Sequence, residues 1–397
     1  MSGMTNEQRL KQQEEELIKD LSTRVDSDDL PTANILVAGI TGTGKSTLIN
    51  AVFGENTAKT GSGRPVTERI DEYGSDVDKI HIWDTVGLEL DSEKTKESIA
   101  SIRATISSKN DSKDLYDRIH AIWYCINSGS KRYQGAELDF IKQLHDIGVP
   151  FIIVLTQCSG AEDEVDAFES QIREINASMG LSDVDIVQVL AQEVKFRGMP
   201  EPIPAFGLDN LVETTLNKLP SFIKSGFIAA QRVSQAYKLK ACEDIIFDYV
   251  DLARTGFWDK VPIINVFTAD DKITKMFVKI GKLYNTILPD SDTQRMIKDL
   301  GHIDIENGFF GLISPIRKEY DAKVDALFKK KRNEGYNVQL EKLENKERVA
   351  RLLAYYGYVF LDAIEEVWSE LTEDQLKKID MVMDRLAGVL KRKFSRR

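Results

Sequence analysis

Cysteine and histidine are scarce in this sequence, with three and four residues among 397. Cys125, Cys158 and Cys242 are too few and too scattered for a disulfide framework or a zinc site. We therefore expect a chain of the reducing cytosol. The four histidines stand apart and show no metal-binding pattern, so we expect structural roles for them.

The sequence also lacks an excess of positive charge and a long apolar run. Its formal net charge is -11, which argues against broad contact with nucleic acid, because such contact needs clustered Lys and Arg. The longest apolar run, Leu352 to Leu361, is about half of a membrane span. The polar start shows no signal peptide. We expect a cytoplasmic protein, with peripheral membrane contact left open.

What the sequence does contain is Gly39–Ser46, which fits the phosphate-loop pattern GxxxxGK[ST]. The apolar run Asn34–Ala38 precedes it and is predicted to be a buried strand, and Thr47–Phe53 follows with helical spacing. Backbone N–H groups of such a loop surround a phosphate, and the new helix directs its positive end at the same anion. We expect Lys45 to reach the outer phosphates and Ser46 to bind magnesium.

Strands and helices alternate from Asn34 to about Pro220. This alternation predicts a doubly wound, mostly parallel α/β sheet whose ligands lie beyond the carboxyl ends of the strands. The candidate strands are Asn34–Ala38, Thr67–Tyr73, Lys79–Trp83, Arg118–Cys125, Phe151–Thr156 and Val184–Leu190. The candidate helices are Lys45–Phe53, Ser92–Ser108, Gly135–Ile147, Asp163–Met179 and Leu208–Lys218.

Helices are predicted on both sides of this α/β unit. We expect an N-terminal helix within residues 1–30, the α/β domain at 31–222 and an all-α domain at 223–397. Thr5–Leu21 has a capping box and an apolar stripe, which is typical of a helix packed on a core.

The all-α domain is expected to contain several separate helices. The expected breaks lie near Gly256, Pro262, Asp270–Asp271 and Asn307–Gly308. A capping box at Thr372–Gln375 precedes a short heptad-like repeat. The repeat consists of Leu376, Ile379, Met383, Leu386 and Leu390. Two heptads favour packing onto the bundle over a dimer seam.

Two further motifs predict a metal site that responds to the terminal phosphate. Asp84, in Trp83–Gly87, follows a strand and can hold magnesium through water, while the Gly87 N–H can contact the terminal phosphate. Gly61–Thr67 is predicted to be a flexible loop whose Thr67 supplies a second hydroxyl to magnesium. A solvent-facing turn and a surface loop without a switch role are the alternatives.

These motifs together resemble the translation-factor-related class of P-loop GTPases: GITGTGKSTLINAVFG, then PVT, then WDTVG. The first is similar to immunity-related, septin-like and AIG-type GTPases and to a bacterial set close to Era, which Ile122–Asn127 and Pro204–Asp209 also resemble. The resemblance covers about residues 30 to 220. It implies GTP as substrate, GDP as product and Mg²⁺ as cofactor, held by Ser46, Thr67 and Asp84. The ligand-binding residues expected in the loop are Gly39, Thr41, Gly42, Thr43, Gly44, Lys45, Ser46 and Thr47.

The base-reading motif departs from the family pattern. Thr156 and Gln157 match it and are expected to face the base, but Ser159 stands where a carboxylate should bind guanine. A hydroxyl cannot supply that paired acceptor. We therefore expect a weaker guanine preference, or a substitute carboxylate from Glu162 or Asp163. An ordinary strand-to-helix loop is the alternative.

The catalytic machinery departs from the pattern as well. Leu88 occupies the place of a water-orienting glutamine, so the orienting group must come from Arg64, Glu89, the Thr67 backbone or a second molecule. The catalytic candidates are Lys45, Thr67, Gly87 and Arg64, and the backbone of Ala191 is expected to touch the base.

The sequence thus predicts a GTP-hydrolysing switch or assembly protein. Because the relatives pair face to face, we expect a nucleotide-dependent homodimer with slow intrinsic turnover. The helical domain would engage a protein partner or a membrane, for which the basic tail Lys391–Arg397 is one candidate and a solvated helix end the other. The alternatives are an ATPase, a nucleotide-dependent scaffold with negligible turnover and, least favoured, a small-molecule kinase. We expect no nucleic-acid partner.

Overall fold

The computed structural model describes residues 30–54, 57–58, 64–67, 70–75, 78–85, 92–133, 136–254, 266–299, 313–334 and 344–395. Contacts divide the chain into two compact units, one of which runs from Leu30 to Gln235 while the other contains Ala236–Arg397. The predicted helix at Thr5–Leu21 lies outside the described residues.

A seven-stranded sheet forms the first unit. Its strands are β1 (Ala33–Gly39), β2 (Arg64–Thr67), β3 (Ile70–Ser75), β4 (Ile80–Thr85), β5 (Ala121–Asn127), β6 (Phe151–Thr156) and β7 (Asp185–Gln188). They lie in the order β2-β3-β4-β1-β5-β6-β7. The strands from β4 to β7 in this order are parallel, whereas β2 and β3 are antiparallel to their neighbours. The predicted mostly parallel α/β fold is confirmed.

The helices of this unit follow the predicted alternation. They are α1 (Lys45–Phe53), α2 (Ser92–Asn110), α3 (Ala136–His145), α4 (Glu162–Ser178), α5 (Leu208–Lys218) and α6 (Lys224–Ala230). Strand β1 is buried along its whole length, as is β6. Strands covered on both faces read as continuous apolar runs, and this is why the sequence located them well.

The prediction of a single strand at Thr67–Tyr73 is wrong, because two strands meet in this stretch. It contains the junction of two antiparallel strands, in which Thr67 pairs with Ile70. The end of the predicted flexible loop Gly61–Thr67 is likewise a strand, β2. The residues between the strands, Glu68 and Arg69, are not of the Gly, Asn or Pro types that mark tight turns in a sequence.

The α/β unit extends beyond the boundary expected near residue 222, because α6 packs on it. The Phe227 ring on α6 contacts the rings of Phe53 and Trp123 edge to face, at centroid distances of 5.9 and 6.4 Å. A Cβ added to Gly226 would lie 1.7 Å from the backbone oxygen of Pro31. Only glycine permits so close an approach of α6 to the chain before β1.

The second unit is helical, as predicted. Its helices are α7 (Gln235–Arg254), α8 (Val266–Leu283), α9 (Asp290–Asp299), α10 (Ile313–Asn333), α11 (Glu344–Glu370), α12 (Glu373–Leu376) and α13 (Ile379–Ser395). The break predicted at Asp270–Asp271 is wrong, because α8 runs through it. The buried stripe Ile273, Phe277 and Ile280 outweighs the weak helix preference of aspartate. The breaks predicted at Gly256, Pro262 and Asn307–Gly308 fall outside the described residues.

The C-terminal helices bury their apolar residues within this unit. The Thr372 N–H donates to Gln375 Oε1 at 2.9 Å, which is half of the predicted capping box. Leu376, Leu386 and Leu390 are buried, as is the whole of Leu352–Leu361 in α11. In the described part of the chain, no helix combines the length and apolarity needed to cross a bilayer.

Candidate functional site

The phosphate loop, Gly39–Ser46, joins the end of β1 to the start of α1. Gly42 and Gly44 have φ angles of 82° and 81°, in the left-handed region that favours glycine. A Cβ added to Gly39 would lie 2.4 Å from the backbone oxygen of Cys125 on β5. The glycines therefore permit a tight turn that packs against the neighbouring strand. This turn lies at the carboxyl ends of the strands, where ligands of this fold bind.

Lys45 is the buried cation of the loop. Its side chain is 8% exposed, and its Nζ donates to the backbone oxygens of Gly39 and Ile40 at 3.0 and 3.4 Å. The ammonium group thus lies inside the turn rather than in solvent. An anion placed in the loop would meet a positive charge that is already positioned.

The hydroxyl residues of the loop differ in their surroundings. Thr43 is buried, and its Oγ1 donates to the backbone oxygen of Ile40 at 2.9 Å, so this hydroxyl stabilises the loop. Thr41 is exposed at the tip, whereas Ser46 and Thr47 are half-buried in the first turn of α1. The last two stand where a helix N-terminus favours an anion and its metal.

Asp84, near the end of β4, lies beside β1, where it pairs with Val37. The side chain is 8% exposed, and Oδ1 has no hydrogen-bond partner in the described structure. Burial raises the pKa of Asp84 to about 6, while the Lys45 ammonium lowers it and Asp71 raises it. A buried carboxylate oxygen without a partner fits an oxygen-preferring divalent cation, either directly or through water.

Two predicted switch residues lie on or near the antiparallel edge of the sheet. Arg64 and Thr67 are the first and last residues of β2, and the structure describes their backbone but not their side chains. Gly87 and Leu88 are outside the described residues. The expected roles of these four residues in metal binding and catalysis stay predictions.

Thr156, the last residue of β6, contacts the phosphate loop. Its side chain is 3% exposed, and Oγ1 donates to the backbone oxygens of Thr43 and Ile126, at 2.5 and 3.1 Å. The hydroxyl therefore links β6 to the loop. Contact of this residue with a base stays a prediction.

Gln157 also contacts the phosphate loop, from a left-handed backbone with φ 55°. Its Nε2 donates to the backbone oxygen of Gly42 at 2.9 Å, and its Oε1 accepts from Asn127 Nδ2 at 3.3 Å. Ser128 Oγ donates to the Gln157 backbone oxygen at 3.0 Å. No role was predicted for Asn127 or Ser128. Their only signal in the sequence is their place at or directly after the end of β5, the strand that neighbours β6.

The remaining base-site candidates follow this motif in the chain. The Ser159 N–H donates to the Gln157 backbone oxygen at 2.7 Å. Ala191 is half-buried and follows Leu190, which forms a bridge with Phe206. Glu162 and Asp163 are exposed in the first turn of α4. Two carboxylates therefore stand near the motif that lacks its aspartate, and their contact with a base stays a prediction.

One known family model matches part of the chain. Residues 34–157 match the family model for the 50S ribosome-binding GTPases. This segment contains the phosphate loop, Asp84 and Gln157, and it is under a third of the chain. The predicted resemblance to translation-factor-related P-loop GTPases is confirmed for it. The comparison with curated proteins gave no match.

Several solved structures match part of the chain at low identity and low TM-score. Elongation factor SelB from Methanococcus maripaludis, bound to a GTP analogue, is 19% identical with a TM-score of 0.31 over 48% of this chain and 35% of SelB. Era from Aquifex aeolicus is 15% identical with a TM-score of 0.32, over 56% of this chain and 68% of Era. Toc33 from Arabidopsis thaliana is 18% identical with a TM-score of 0.33, over 52% of this chain and 93% of Toc33. The chain thus spans about a third of SelB.

Proposed function

We propose that this protein binds GTP with Mg²⁺ and hydrolyses it to GDP and phosphate, as a nucleotide-dependent switch or assembly GTPase. The observation that carries the proposal is the presence of two buried groups of opposite charge, Lys45 and Asp84, near the carboxyl ends of β1 and β4. The Lys45 ammonium lies inside the phosphate loop, and one oxygen of the Asp84 carboxylate has no hydrogen-bond partner among the described residues. A triphosphate and its metal complement both charges.

The loop residues would hold and orient the triphosphate. The backbone N–H groups from Gly42 to Thr47 face the phosphates at the start of α1, and Lys45 neutralises the outer oxygens. Ser46, Thr67 and, through water, Asp84 would hold Mg²⁺, which when bound neutralises charge on the β- and γ-phosphates. The Gly87 N–H would sense the terminal phosphate, so its release would free the segments around Thr67 and Gly87.

Base selectivity depends on groups other than the missing aspartate. Gln157 is already hydrogen-bonded to Gly42 and Asn127, so its stem is fixed beside the loop. Ser159 offers one hydroxyl where guanine would require two acceptors. A modest preference for GTP over ATP follows, and an ATPase remains the second candidate.

Turnover is proposed to be slow when the protein acts alone. Leu88 cannot orient water, so the water-orienting group would come from Arg64, Glu89, the Thr67 backbone or a second molecule. A nucleotide-dependent homodimer would supply that second molecule. Light scattering with a non-hydrolysable GTP analogue tests it, and a monomer that persists at high protein concentration contradicts it. If neither dimer nor turnover is found, the scaffold reading is favoured.

The helical unit is proposed to engage a protein partner or a membrane surface from the cytoplasm. The contacts of its basic C-terminus favour the simpler role of a helix end, since Arg392 and Lys393 both pair with Glu366. Sedimentation with anionic liposomes, with and without residues 391–397, separates the two roles. Equal pelleting of the two proteins removes the membrane role of the tail.

A binding assay with two variants tests the central function. Wild type and Lys45→Ala are titrated with GTP and with ATP, with Mg²⁺ present. Lys142→Ala is the matched control, because Lys142 is exposed and lies on α3. We expect Lys45→Ala to lose at least tenfold in affinity and the control to bind as wild type. Absence of purine-triphosphate binding by wild type overturns the proposal, and tighter binding of ATP favours the ATPase.

A further inference from the structure

A second carboxylate faces Asp84 across the antiparallel pair of β3 and β4. Asp71 and Asp84 are direct Cα partners in that pair. Residues opposite each other share a face of the sheet, with Cβ atoms about 5 Å apart. Asp84 is more than nine-tenths buried and its Oδ1 has no hydrogen-bond partner in the described structure. Two acidic groups thus lie side by side at the site assigned to the metal.

Asp71 shares its face of the sheet with another residue of its own strand. Tyr73 lies two residues further along β3 on that face, and burial together with the nearby Asp71 carboxylate raises the pKa of its hydroxyl. Glu72 and His81 lie on the other face, where His81 Nδ1 and the Glu72 carboxyl group are hydrogen-bonded to each other. Strand β3 therefore places its two carboxylates on opposite faces, with Glu72 beside His81 and Asp71 opposite Asp84.

The position of this pair in the sheet gives it a structural consequence. Strand β2 carries Thr67, and within the described sheet its one neighbour is β3. Like charges directly opposite each other weaken an antiparallel pair. The Asp71–Asp84 pair therefore lies at the junction between β2 and the rest of the sheet, and it weakens that junction until a cation neutralises it.

We propose that Asp71 is a positioning residue of the metal site, which adds negative charge beside Asp84 so that cation binding tightens β3 onto β4 and aligns β2 with its Thr67. This inference rests on the proposed Mg²⁺–nucleotide site. It assigns no direct metal ligation to Asp71. The charge of Asp71 acts through Asp84, and the alignment of β2 is the structural effect.

Two variants that remove the charge test the inference, Asp71→Asn and Asp71→Ser. The matched control is Glu72→Gln, which removes a carboxylate from the opposite face of the same strand. The first measurement is the Mg²⁺ concentration needed for half-maximal retention of a fluorescent GDP analogue by the full-length protein. We expect both Asp71 variants to need on the order of tenfold more Mg²⁺, as is usual for groups outside the direct ligands of a metal. The control should need the wild-type concentration.

The second measurement is hydrogen–deuterium exchange of residues 70–75 at pH 8, with GDP and with or without Mg²⁺. Wild type should gain protection on Mg²⁺ addition, while the Asp71 variants should already be protected without it. An unchanged Mg²⁺ requirement and wild-type exchange in both variants overturn the inference. Unfolding of both variants overturns it too, because removal of a repulsion should stabilise the strand pair. If wild type itself retains no nucleotide with Mg²⁺, the proposed function has failed instead.

Discussion

The hydroxyl of Thr156 donates a hydrogen bond to the backbone oxygen of Thr43, 113 residues away in the chain. This bond joins the end of β6 to the phosphate loop, and Gln157 adds a second link through Gly42. The phosphate loop is therefore held by two strands: β1, which it follows in the chain, and β6, which ends at Thr156. The shape of the loop depends on both.

Replacing Thr156 by valine should loosen the loop. The substitution keeps the shape of the side chain but removes the donor to Thr43, so we expect a loss of about 1 to 3 kcal/mol in unfolding free energy. Nucleotide affinity should fall as well. Urea denaturation and nucleotide titration measure the two effects. Thr214→Val, at an exposed hydroxyl on α5, is the control and should change neither.

Alanine at Gly39 should disrupt the site. The new Cβ would lie 2.4 Å from the Cys125 backbone oxygen, so β1 and β5 must separate, at an expected destabilisation of about 1 to 3 kcal/mol. We expect nucleotide binding to be lost. Gly388→Ala is the matched control, since a Cβ there meets nothing within 4 Å and the residue lies within α13. The control should gain about 0.5 to 1 kcal/mol by thermal denaturation. Wild-type nucleotide binding by Gly39→Ala contradicts the loop geometry.

Asn127 and Gln157 should act as one unit. Asn127 Nδ2 donates to Gln157 Oε1, which orients the other end of that amide toward Gly42. We expect Asn127→Ala and Gln157→Ala each to weaken nucleotide binding by about two- to tenfold, as is typical of a lost hydrogen bond. The double variant should be little worse than Gln157→Ala alone, because that variant already removes the hydrogen bond with Asn127. Additive losses in this cycle contradict the coupling.

Glu137 should make the protein less stable as the pH rises. The side chain is 4% exposed on α3, and it accepts a hydrogen bond from the Tyr124 hydroxyl at 3.0 Å. Burial raises its pKa from 4.5 to about 7, and the Tyr124 hydrogen bond lowers it. Between these two pH values the folded state therefore binds more protons than the unfolded state, and stability falls as pH increases.

Glu137→Gln tests this dependence, because the amide oxygen still accepts from Tyr124 and the charge is absent. Between pH 4.5 and pH 8 the wild type should lose roughly 2 to 3 kcal/mol of stability relative to the variant. Urea denaturation across that range, with nucleotide absent, measures the difference. Glu174→Gln, on the exposed side of α4, should leave the wild-type curve unchanged. Parallel curves for wild type and Glu137→Gln contradict the assignment.

Local sequence patterns were sufficient to predict the bounds of several single helices and strands. The bounds of α1, β6 and α5 agree with the predicted Lys45–Phe53, Phe151–Thr156 and Leu208–Lys218. Buried strands read as unbroken apolar runs, and helices start beside glycine or end near it. The order of strand, loop and helix then located the phosphate loop.

Relationships between distant segments could not be read in the same way. The separation of β2 from β3 was not predicted, because Glu68 and Arg69 are not residue types that mark a turn. The break predicted at Asp270–Asp271 failed because buried neighbours outweigh local preference. Asp71 faces Asp84 only through the register of two strands, which periodicity alone does not fix.

Hydrogen–deuterium exchange of the full chain, with and without a non-hydrolysable GTP analogue and Mg²⁺, locates the nucleotide site. We expect the nucleotide to slow exchange at residues 39–47, at the end of β4 and around Thr156 and Gln157. Lys45→Ala should lose this pattern. A wild-type protein that gains no protection at the phosphate loop, or gains it only elsewhere, contradicts the account.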